Sequence, residues 1–373
     1  MKFTIDRADL LRSLNHVHSV VERRNTIPIL ANVLLRAEKD TLYLATTDMD
    51  LEIVESVSAK VTSAGTTTVP AHTLYDIVRK LGDDSSIEIS SAANDATLQV
   101  KSGRSTFRLG CLPTEDFPKM GSTEKFSANF SIPAADLRML IDRTRFAISN
   151  EETRYYLNGI YLHAANNDGV AVLRAVATDG HRLARFEMPL PEGAKNMSGV
   201  IVPRKAINEI RKLIDEAGDT IRIGLSDNKM QFSFDHIALT TKLIDGTFPD
   251  YDRVIPKKND KVLEVNPTIF AGAVDRVSTI SSEKSRSVKL TLGGKTMTLS
   301  ANSPDSGSAS EEIEINFNAG PMEIGFNSAY LMDVARQIEG EGCRISLSDS
   351  ASPTIIQDIS DASSLYVLMP MRV

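Results

Sequence analysis

The sequence predicts an α+β protein built from three copies of one domain, each with two helices packed on antiparallel sheet. Three observations carry that prediction. Four short signals recur, in the same order, three times along the chain. Most segments between the candidate helices alternate apolar and polar residues, the period of half-buried strands. The chain, at 373 residues, is also too long for one ordinary core, since domains typically hold about 100–150 residues.

The first signal is a short strand running into an amphipathic helix. Phe3-Thr4-Ile5 precedes Asp9-Leu10-Leu11, and Phe130-Ser131-Ile132 precedes Asp136-Leu137. A weaker copy is Val262-Leu263-Glu264-Val265 before Ile269-Phe270. The second signal is a strand carrying Thr47-Asp48, then Thr178-Asp179, then Asn302 after Leu299-Ser300-Ala301. The third is a strand entering a second helix. Thr68-Val69-Pro70 precedes Leu74, Ile201-Val202-Pro203 precedes Ile207, and Ile324-Gly325-Phe326-Asn327 precedes Leu331. Proline near a helix start suits its fixed φ and missing donor. The fourth is a closing pair: Phe117-Pro118, Phe248-Pro249 and Met369-Pro370. Successive copies of each marker lie roughly 121–133 residues apart, and such agreement is the mark of internal repetition. The domains are placed at 1–122, 126–254 and 261–373. Polar, lysine-bearing joints separate them, Gly121-Ser122-Thr123-Glu124-Lys125 and Pro256-Lys257-Lys258-Asn259-Asp260-Lys261.

Composition narrows the function. With 42% hydrophobic and 24% charged residues the chain is ordinary for a globular protein. No apolar run reaches the roughly 20 residues of a membrane span, so no membrane partner is expected. The charged, alternating start Met1-Lys2-Phe3-Thr4-Ile5-Asp6 is not a signal peptide. Cys111 and Cys343 are far apart, which argues against a disulfide scaffold and for a reducing cytoplasm. A net charge of −7 does not by itself suggest a nucleic-acid binder. Helices are expected at 7–24, 71–81, 134–146, 204–213, 268–286 and 328–338. Together they carry about +8, leaving about −15 on the rest of a chain whose total is −7. Basic helices on an acidic body suggest one face built for a polyanion. Good helix formers also include Lys and Arg, and charge alone leaves both readings open.

No set of residues reads as a catalytic constellation. Asp179, His181 and Arg182 could be acid, base and anion holder. They sit in one short turn, point apart, and no Gly-x-Ser-x-Gly elbow exists. The plainer reading is a strand-end turn, with Gly180 supplying unusual φ and Asp179 bonding backbone amides. Asp48, Asp50 and Glu52 alternate along a strand face without the glycine and distal glutamate of a calcium loop. His16 and His18 point apart on a helix, so a shared metal is not expected. Gly294-Lys295-Thr296 has Lys289 where a phosphate loop needs its first glycine, and reads as a hairpin turn. No metal or cofactor is expected.

Several strings then converge on a family. They are Met1-Lys2-Phe3-Thr4, Thr26-Ile27-Pro28-Ile29-Leu30, Arg154-Tyr155-Tyr156-Leu157-Asn158-Gly159 and Ala177-Thr178-Asp179-Gly180-His181-Arg182-Leu183. To these add Val202-Pro203-Arg204-Lys205, Phe248-Pro249-Asp250-Tyr251 and Tyr366-Val367-Leu368-Met369-Pro370-Met371-Arg372. In this order they make the whole chain resemble the bacterial DNA polymerase III β subunits, the sliding clamps. The resemblance implies a head-to-tail homodimer closed into a ring, with helices inside and sheets outside, holding double-stranded DNA topologically and without regard to sequence. It implies a non-enzymatic processivity factor. Its partners would be the replicative polymerase catalytic subunit, the clamp loader, translesion polymerases and mismatch-repair proteins, each bringing a short linear motif.

The resemblance also implies site residues. Arg24, His72, Arg79, Arg204 and Lys205 would meet DNA phosphates, and Tyr155 and Tyr156 exposed single-stranded template. The peptide pocket would draw Leu157, Thr178, Gly180, His181, Arg182 and Leu183 from the middle domain. Pro249, Arg253 and Val254 would come from its end. The last domain would give Asn327, Tyr330, Val367, Met369, Pro370, Met371 and Arg372. Arg104, Phe107 and Ile280 would form the dimer seam. Ser285, Thr106 and Val373 depart from the family pattern. Two other classes stay in view. One is a hydrolase using Asp179 and His181, although the other copies lack the histidine. The other is a plain DNA-binding protein, which would bind linear DNA with a steep salt dependence.

Overall fold

A computed structural model of the chain describes residues 1–24, 26–91, 96–120, 126–216, 218–281 and 286–372. The expected joint at 121–125, Ser285 and Val373 lie outside the described residues. The chain forms two compact units. The first comprises Met1–Arg138, Pro191–Met197 and Lys205–Leu243, and the second Met139–Leu190, Ser198–Arg204 and Ile244–Val373.

The first unit holds two antiparallel sheets. One has five strands, in the order β5 (Lys60–Ser63), β1 (Lys2–Asp6), β7 (Ser86–Ser90), β8 (Thr97–Ser102), β9 (Ser105–Gly110). The other has eight, in the order β10 (Ala128–Pro133), β15 (Thr220–Leu225), β16 (Lys229–Phe234), β17 (Ile237–Lys242), β4 (Leu51–Ser58), β3 (Thr41–Thr47), β2 (Asn32–Glu38), β6 (Gly65–Pro70). The second unit also holds two. Nine strands run β14 (Val200–Pro203), β11 (Gly159–Asn167), β12 (Val170–Thr178), β13 (Arg182–Pro189), β26 (Ser364–Leu368), β25 (Thr354–Asp358), β24 (Cys343–Leu347), β18 (Lys261–Val265), β22 (Asn316–Phe317). Four run β21 (Gly307–Glu314), β20 (Thr296–Ser303), β19 (Ser287–Gly293), β23 (Met322–Asn327).

The helices are α1 (Arg7–Val17), α2 (Ala71–Lys80), α3 (Ala134–Asp142), α4 (Arg204–Ile214), α5 (Pro267–Ser278) and α6 (Ser328–Ala335). In chain order the same pattern therefore occurs three times: one strand, a helix, a run of strands, a second helix, three closing strands. Each repeat gives its strands to two different sheets. The middle repeat supplies β10 and β15–β17 to one unit and β11–β14 to the other, so the compact units do not coincide with the repeats. Helix α1 shows the packing logic. Leu10, Leu14 and Val17 recur at helical spacing and are fully buried, against β3, β4 and α2.

Four of the six helices are markedly shorter than the sequence suggests, and in three of them the cause is local. His18 Nδ1 donates to the Leu14 carbonyl at 2.8 Å where α1 stops. Thr144 Oγ1 donates to the Leu140 carbonyl at 2.6 Å beyond α3, and Ser278 Oγ to the Asp275 carbonyl at 2.9 Å at the end of α5. Such side chains take over the last-turn carbonyls and let the backbone leave the helix. The six helices proper then carry only about +3. Arg23, Arg24, Arg143, Arg145, Arg286 and Arg336 fall outside them. Within them, Arg7, Arg12, Arg79 and Arg138 pair with Asp83, Asp9, Asp76 and Asp215 at 2.7, 3.3, 3.2 and 2.9 Å.

His16 is 8% exposed on α1 and lies between two carboxylates. Its Nδ1 is 2.8 Å from Glu55 and its Nε2 2.9 Å from Glu216; Ser13 Oγ donates to Glu55 at 2.7 Å. Burial opposes the imidazolium, but the two carboxylates outweigh it and raise the pKa above 6.5. A raised histidine pKa stabilises the fold fully below about pH 6.5, and that share is lost as pH rises through the folded value. Thermal unfolding between about pH 6 and pH 8.5 should show a fall in Tm for the wild type that His16→Gln lacks. Equal slopes for the two proteins would remove the charged pair from the account.

Candidate functional site

Side chains alternate across a sheet, so the register fixes which residues share a face. On one face of the nine-stranded sheet, Ile201, Tyr161, Val176, Arg185 and Leu365 lie opposite one another on β14, β11, β12, β13 and β26. Two residues along, Thr178, Leu183, Val367 and Ile355 form the next row on β12, β13, β26 and β25. Over these rows lies the segment that begins with the second closing pair. Leu157, Val176, Leu183, Ile201, Phe248, Tyr251, Leu365 and Val367 form one buried cluster. Its rim is apolar and exposed. Val254 is 50% and Met369 41% exposed, and Pro249, next to Phe248 in sequence, is exposed.

Three backbone devices hold this rim. The Thr178–Arg182 turn is an Asx turn: Asp179 Oδ1 accepts from the His181 and Arg182 amides at 2.9 and 3.0 Å. Gly180 has φ +87°, and a Cβ there would also sit 2.9 Å from Arg154 Nη1. The tail is tied to this turn, since the Met369 amide donates to the His181 carbonyl at 2.9 Å. Two residues later, the Met371 amide donates to the Gly325 carbonyl at 2.8 Å. Finally, Asn327 caps α6, its Oδ1 accepting from the Ala329 and Tyr330 amides at 3.0 and 3.4 Å. That places the Tyr330 ring 6.2 Å from His181, nearly parallel to it.

The same Asx turn occurs in the first repeat. Asp48 Oδ1 accepts from the Asp50 and Leu51 amides at 2.9 and 2.7 Å, and Met49 takes the positive φ, +78°. The third copy departs. Asn302 is not in a turn but within β20, paired with Ser308, and the chain reverses after Ser303. The hairpin expected at Gly294-Lys295 is present between β19 and β20, with Gly294 at φ +61°.

Arg182 differs in role from its neighbours. It leaves the sheet on the face opposite Leu183, and its side chain is 10% exposed. Nε donates to Asp179 at 3.1 Å, Nη1 to Asp333, and Nη2 to the Phe146 carbonyl at 2.6 Å. Its guanidinium also lies 4.3 Å from the Tyr330 ring centre. Every arm is occupied, so Arg182 fixes the turn and Tyr330 and presents no charge to a ligand. Arg253 does the reverse: its side chain is 83% exposed and pairs across its own turn with Asp250, at 2.7 Å. Pro370 and Met371 are half-buried and Arg372 exposed.

The other expected residues divide by accessibility. Arg24 is exposed in the bend after α1, and Tyr155 is 53% exposed beside half-buried Tyr156, ring centres 5.7 Å apart. Arg79 is exposed near the end of α2 and pairs with Asp76. Arg204 reaches the Ser149 carbonyl at 3.4 Å. His72 is half-buried, its Nε2 donating to the Val21 carbonyl at 2.8 Å. The Lys205 ammonium is taken by Asp48, by Glu22 at 3.3 Å and by the Val20 carbonyl at 3.3 Å. Burial lowers its pKa, but Asp48 and Glu22 outweigh that and raise it. Arg104 is exposed in the β8–β9 turn, Phe107 and Ile280 are half-buried, and Thr106 is exposed on β9.

Sequence reasoning missed Phe248, Tyr251, Val176, Ile201 and Leu365 as parts of the site. Phe248 and Tyr251 lie in the Phe248-Pro249-Asp250-Tyr251 segment, and only the folded chain shows that they cover Val176, Ile201 and Leu365. Among the described residues no group of three His, Cys, Asp or Glu is arranged to hold a metal, and no helix is long and apolar enough to cross a membrane.

Comparison with known proteins identifies the family. Family profiles for the N-terminal, central and C-terminal domains of the DNA polymerase III beta subunit match residues 1–121, 131–250 and 252–372. The chain belongs to the DNA polymerase III beta subunit family. It is 52% identical to the beta sliding clamp of Caulobacter vibrioides over 373 residues, all of both chains. A solved C. crescentus beta sliding clamp with PEG bound to a putative beta-motif tethering region superposes with a TM-score of 0.98 at 52% identity, covering 100% of this chain and 99% of that one. A DnaN sliding clamp from Bartonella birtlesii bound to griselimycin gives 0.96 at 50% identity, with full coverage of both. The fold is thus α+β, with three clamp domains of paired helices and antiparallel sheet.

Removing the Arg182 side chain takes one donor from Asp179 and its arginine from Asp333 and the Phe146 carbonyl. Breaking such a largely buried charge cluster costs about 3 kcal/mol. Arg182→Ala should lower Tm and speed amide exchange in residues 178–183. Unchanged exchange there would show that the turn holds without its arginine.

Proposed function

We propose that this chain is a non-catalytic sliding clamp that encircles duplex DNA as a head-to-tail dimer and tethers polymerase through the apolar surface around Leu183 and Val367. The observation that supports it most directly is that surface: a pre-formed cluster on the nine-stranded sheet, with an exposed apolar rim of Val254, Pro249 and Met369. Exposed apolar groups beside a buried apolar cluster suit a short linear motif, and methionine adapts to variation among motifs. The replicative polymerase catalytic subunit, clamp loader, translesion polymerases and mismatch-repair proteins are the proposed partners. A cytoplasmic location goes with them. The domains are proposed at 1–122, 126–254 and 261–373.

Sheet edges support the dimer. β9 ends the five-stranded sheet and β21 ends the four-stranded one, and an unpaired edge is a template for another chain. Arg104 and Arg108 are exposed on or beside β9, and Glu312 and Glu314 are exposed on β21. Joining the first edge of one subunit to the second edge of another is heterologous and closes only as a ring. For DNA, Arg24, Arg79, Arg204 and Tyr155 are the proposed contacts, with no base readout. Lys205, which already holds two carboxylates, and His72, half-buried against the Val21 carbonyl, would contribute less.

Purified protein loaded on nicked circular DNA should be retained through a salt wash and released when the circle is cut. Loss of binding in salt, with no effect of cutting, would falsify encirclement and favour a plain DNA binder. The solution mass should be that of a dimer. Truncation after Leu368 should abolish binding of a polymerase motif peptide and leave the dimer intact. Hydrolase activity sensitive to His181→Ala would instead revive the catalytic reading.

A further inference from the structure

The face that carries the docking cluster also carries a row of polar residues with no counterpart in the reading above. His163, Arg174 and Glu187 lie directly opposite one another on β11, β12 and β13. Arg174 and Glu187 are 6% and 7% exposed. The Arg174 Nε and Nη2 both donate to Glu187 Oε2, each at 2.9 Å. Its remaining arm, Nη1, donates to the Tyr251 hydroxyl at 3.0 Å, and His163 Nε2 lies 2.9 Å from the same hydroxyl.

The proton positions follow from the acceptors. His163 Nδ1 is 3.0 Å from the Ala164 carbonyl, which can only accept, so Nδ1 carries the hydrogen. In the neutral ring Nε2 is then an acceptor, and the Tyr251 hydroxyl donates to it. One directed chain results: Arg174 to Tyr251 to His163 to the Ala164 carbonyl. Tyr251 is 6% exposed and begins the helical turn Tyr251–Arg253. The Val254 amide donates to its carbonyl at 3.1 Å. Its side chain is thus bolted to the sheet, and its backbone carries Arg253 and Val254.

We propose that the Tyr251 hydroxyl, held between Arg174 and His163, is the positioning contact that fixes the Pro249–Val254 wall of the docking surface, and that His163 must be neutral for it to do so. This rests on the reading of that surface as the partner site. A protonated Nε2 would become a donor, leave the hydroxyl hydrogen without its acceptor, and set a second cation beside Arg174. The groups facing His163 are the Tyr161 ring, stacked at 4.6 Å, Tyr251, Arg174 and, at longer range, Asp252. Arg185 and Glu187 occupy the neighbouring positions on β13. Burial and then Arg174 keep the ring's pKa below 6.5, against the opposing pull of the Ala164 carbonyl and Asp252. A lowered pKa means that the neutral arrangement holds above about pH 6.5 and is lost as pH falls through the folded value.

The test uses the full-length dimer and a fluorescein-labelled peptide spanning the clamp-binding motif of the replicative polymerase, read by anisotropy. Loss of one buried hydrogen bond should weaken binding by about tenfold in Tyr251→Phe at pH 7.5, with dimer mass and retention on circular DNA unchanged. His163→Gln keeps an acceptor for the hydroxyl and cannot become a cation. It should bind within about twofold of wild type at pH 7.5. From pH 7.5 to about 5.5, the wild type should lose affinity relative to His163→Gln. His181 is present in both proteins, so the difference between their profiles isolates His163. Wild-type affinity in Tyr251→Phe, or parallel pH profiles, overturns the proposal. If Tyr251→Phe loses its dimer as well, the His163→Gln profile alone decides. A wild type that binds no motif peptide overturns the docking reading and takes this proposal with it, an outcome distinct from the others.

Discussion

Everything in this fold depends on where one repeat's strands meet the next. Each repeat makes partial sheets whose edges must be paired, because an unpaired edge leaves a row of backbone donors and acceptors unsatisfied. β17 pairs with β4 and β13 pairs with β26, so two of the edges are closed within the chain. The second of these seams sets Leu183 directly against Val367, the pair at the floor of the proposed docking surface. The site is therefore a product of fusing repeats, and no single repeat contains it.

The closing pairs differ in what they bury at the two seams. Phe117 is 4% exposed and packs with Ile29, Leu30 and Ala45 of its own repeat. Phe248 is 8% exposed and stacks on Tyr161, ring centres 4.8 Å apart and 7° from parallel. Met369, the third member, is 41% exposed and its amide is tied to the His181 carbonyl of a different repeat. A marker that buries an aromatic twice thus presents an uncovered methionine the third time. At the other seam, charge occupies the comparable turn: Lys205 holds Asp48, and Lys242 holds Asp50 at 3.0 Å.

The repeat, the strand periodicity and the Asp179 turn were legible because each is a property of neighbours in sequence. Asp179 bonds amides two and three residues on, and Gly180 announces its own φ. What was not legible depends on register or on competition for a single acceptor. Asn302 carries the right chemistry for a turn but is held in β20 by pairing with Ser308. Arg182 reads as an anion holder beside His181, yet alternation sends it to the opposite face and into Asp333. His163, Arg174 and Glu187 are separated by hairpins in sequence and become one row only once the strands are aligned. Helix lengths failed for a subtler reason, since hydroxyls and one imidazole near the helix ends captured carbonyls that apolar periodicity alone would have continued.

The same competition bears on DNA. On the reading proposed above, the basic helices should neutralise phosphate, yet most cations on them already hold a carboxylate: Arg7 with Asp83, Arg79 with Asp76, Arg138 with Asp215, Lys212 with Glu209. A cation that exchanges an exposed carboxylate for a phosphate gains only the difference between two screened pairs, each worth roughly 0–1 kcal/mol. It also releases fewer counterions per contact than a bare charge would. A surface of pre-paired cations therefore holds DNA weakly at every phosphate alike. Retention then has to come from topology, and the strength of the subunit seam, more than the charge of the helices, sets how long the protein stays on its template.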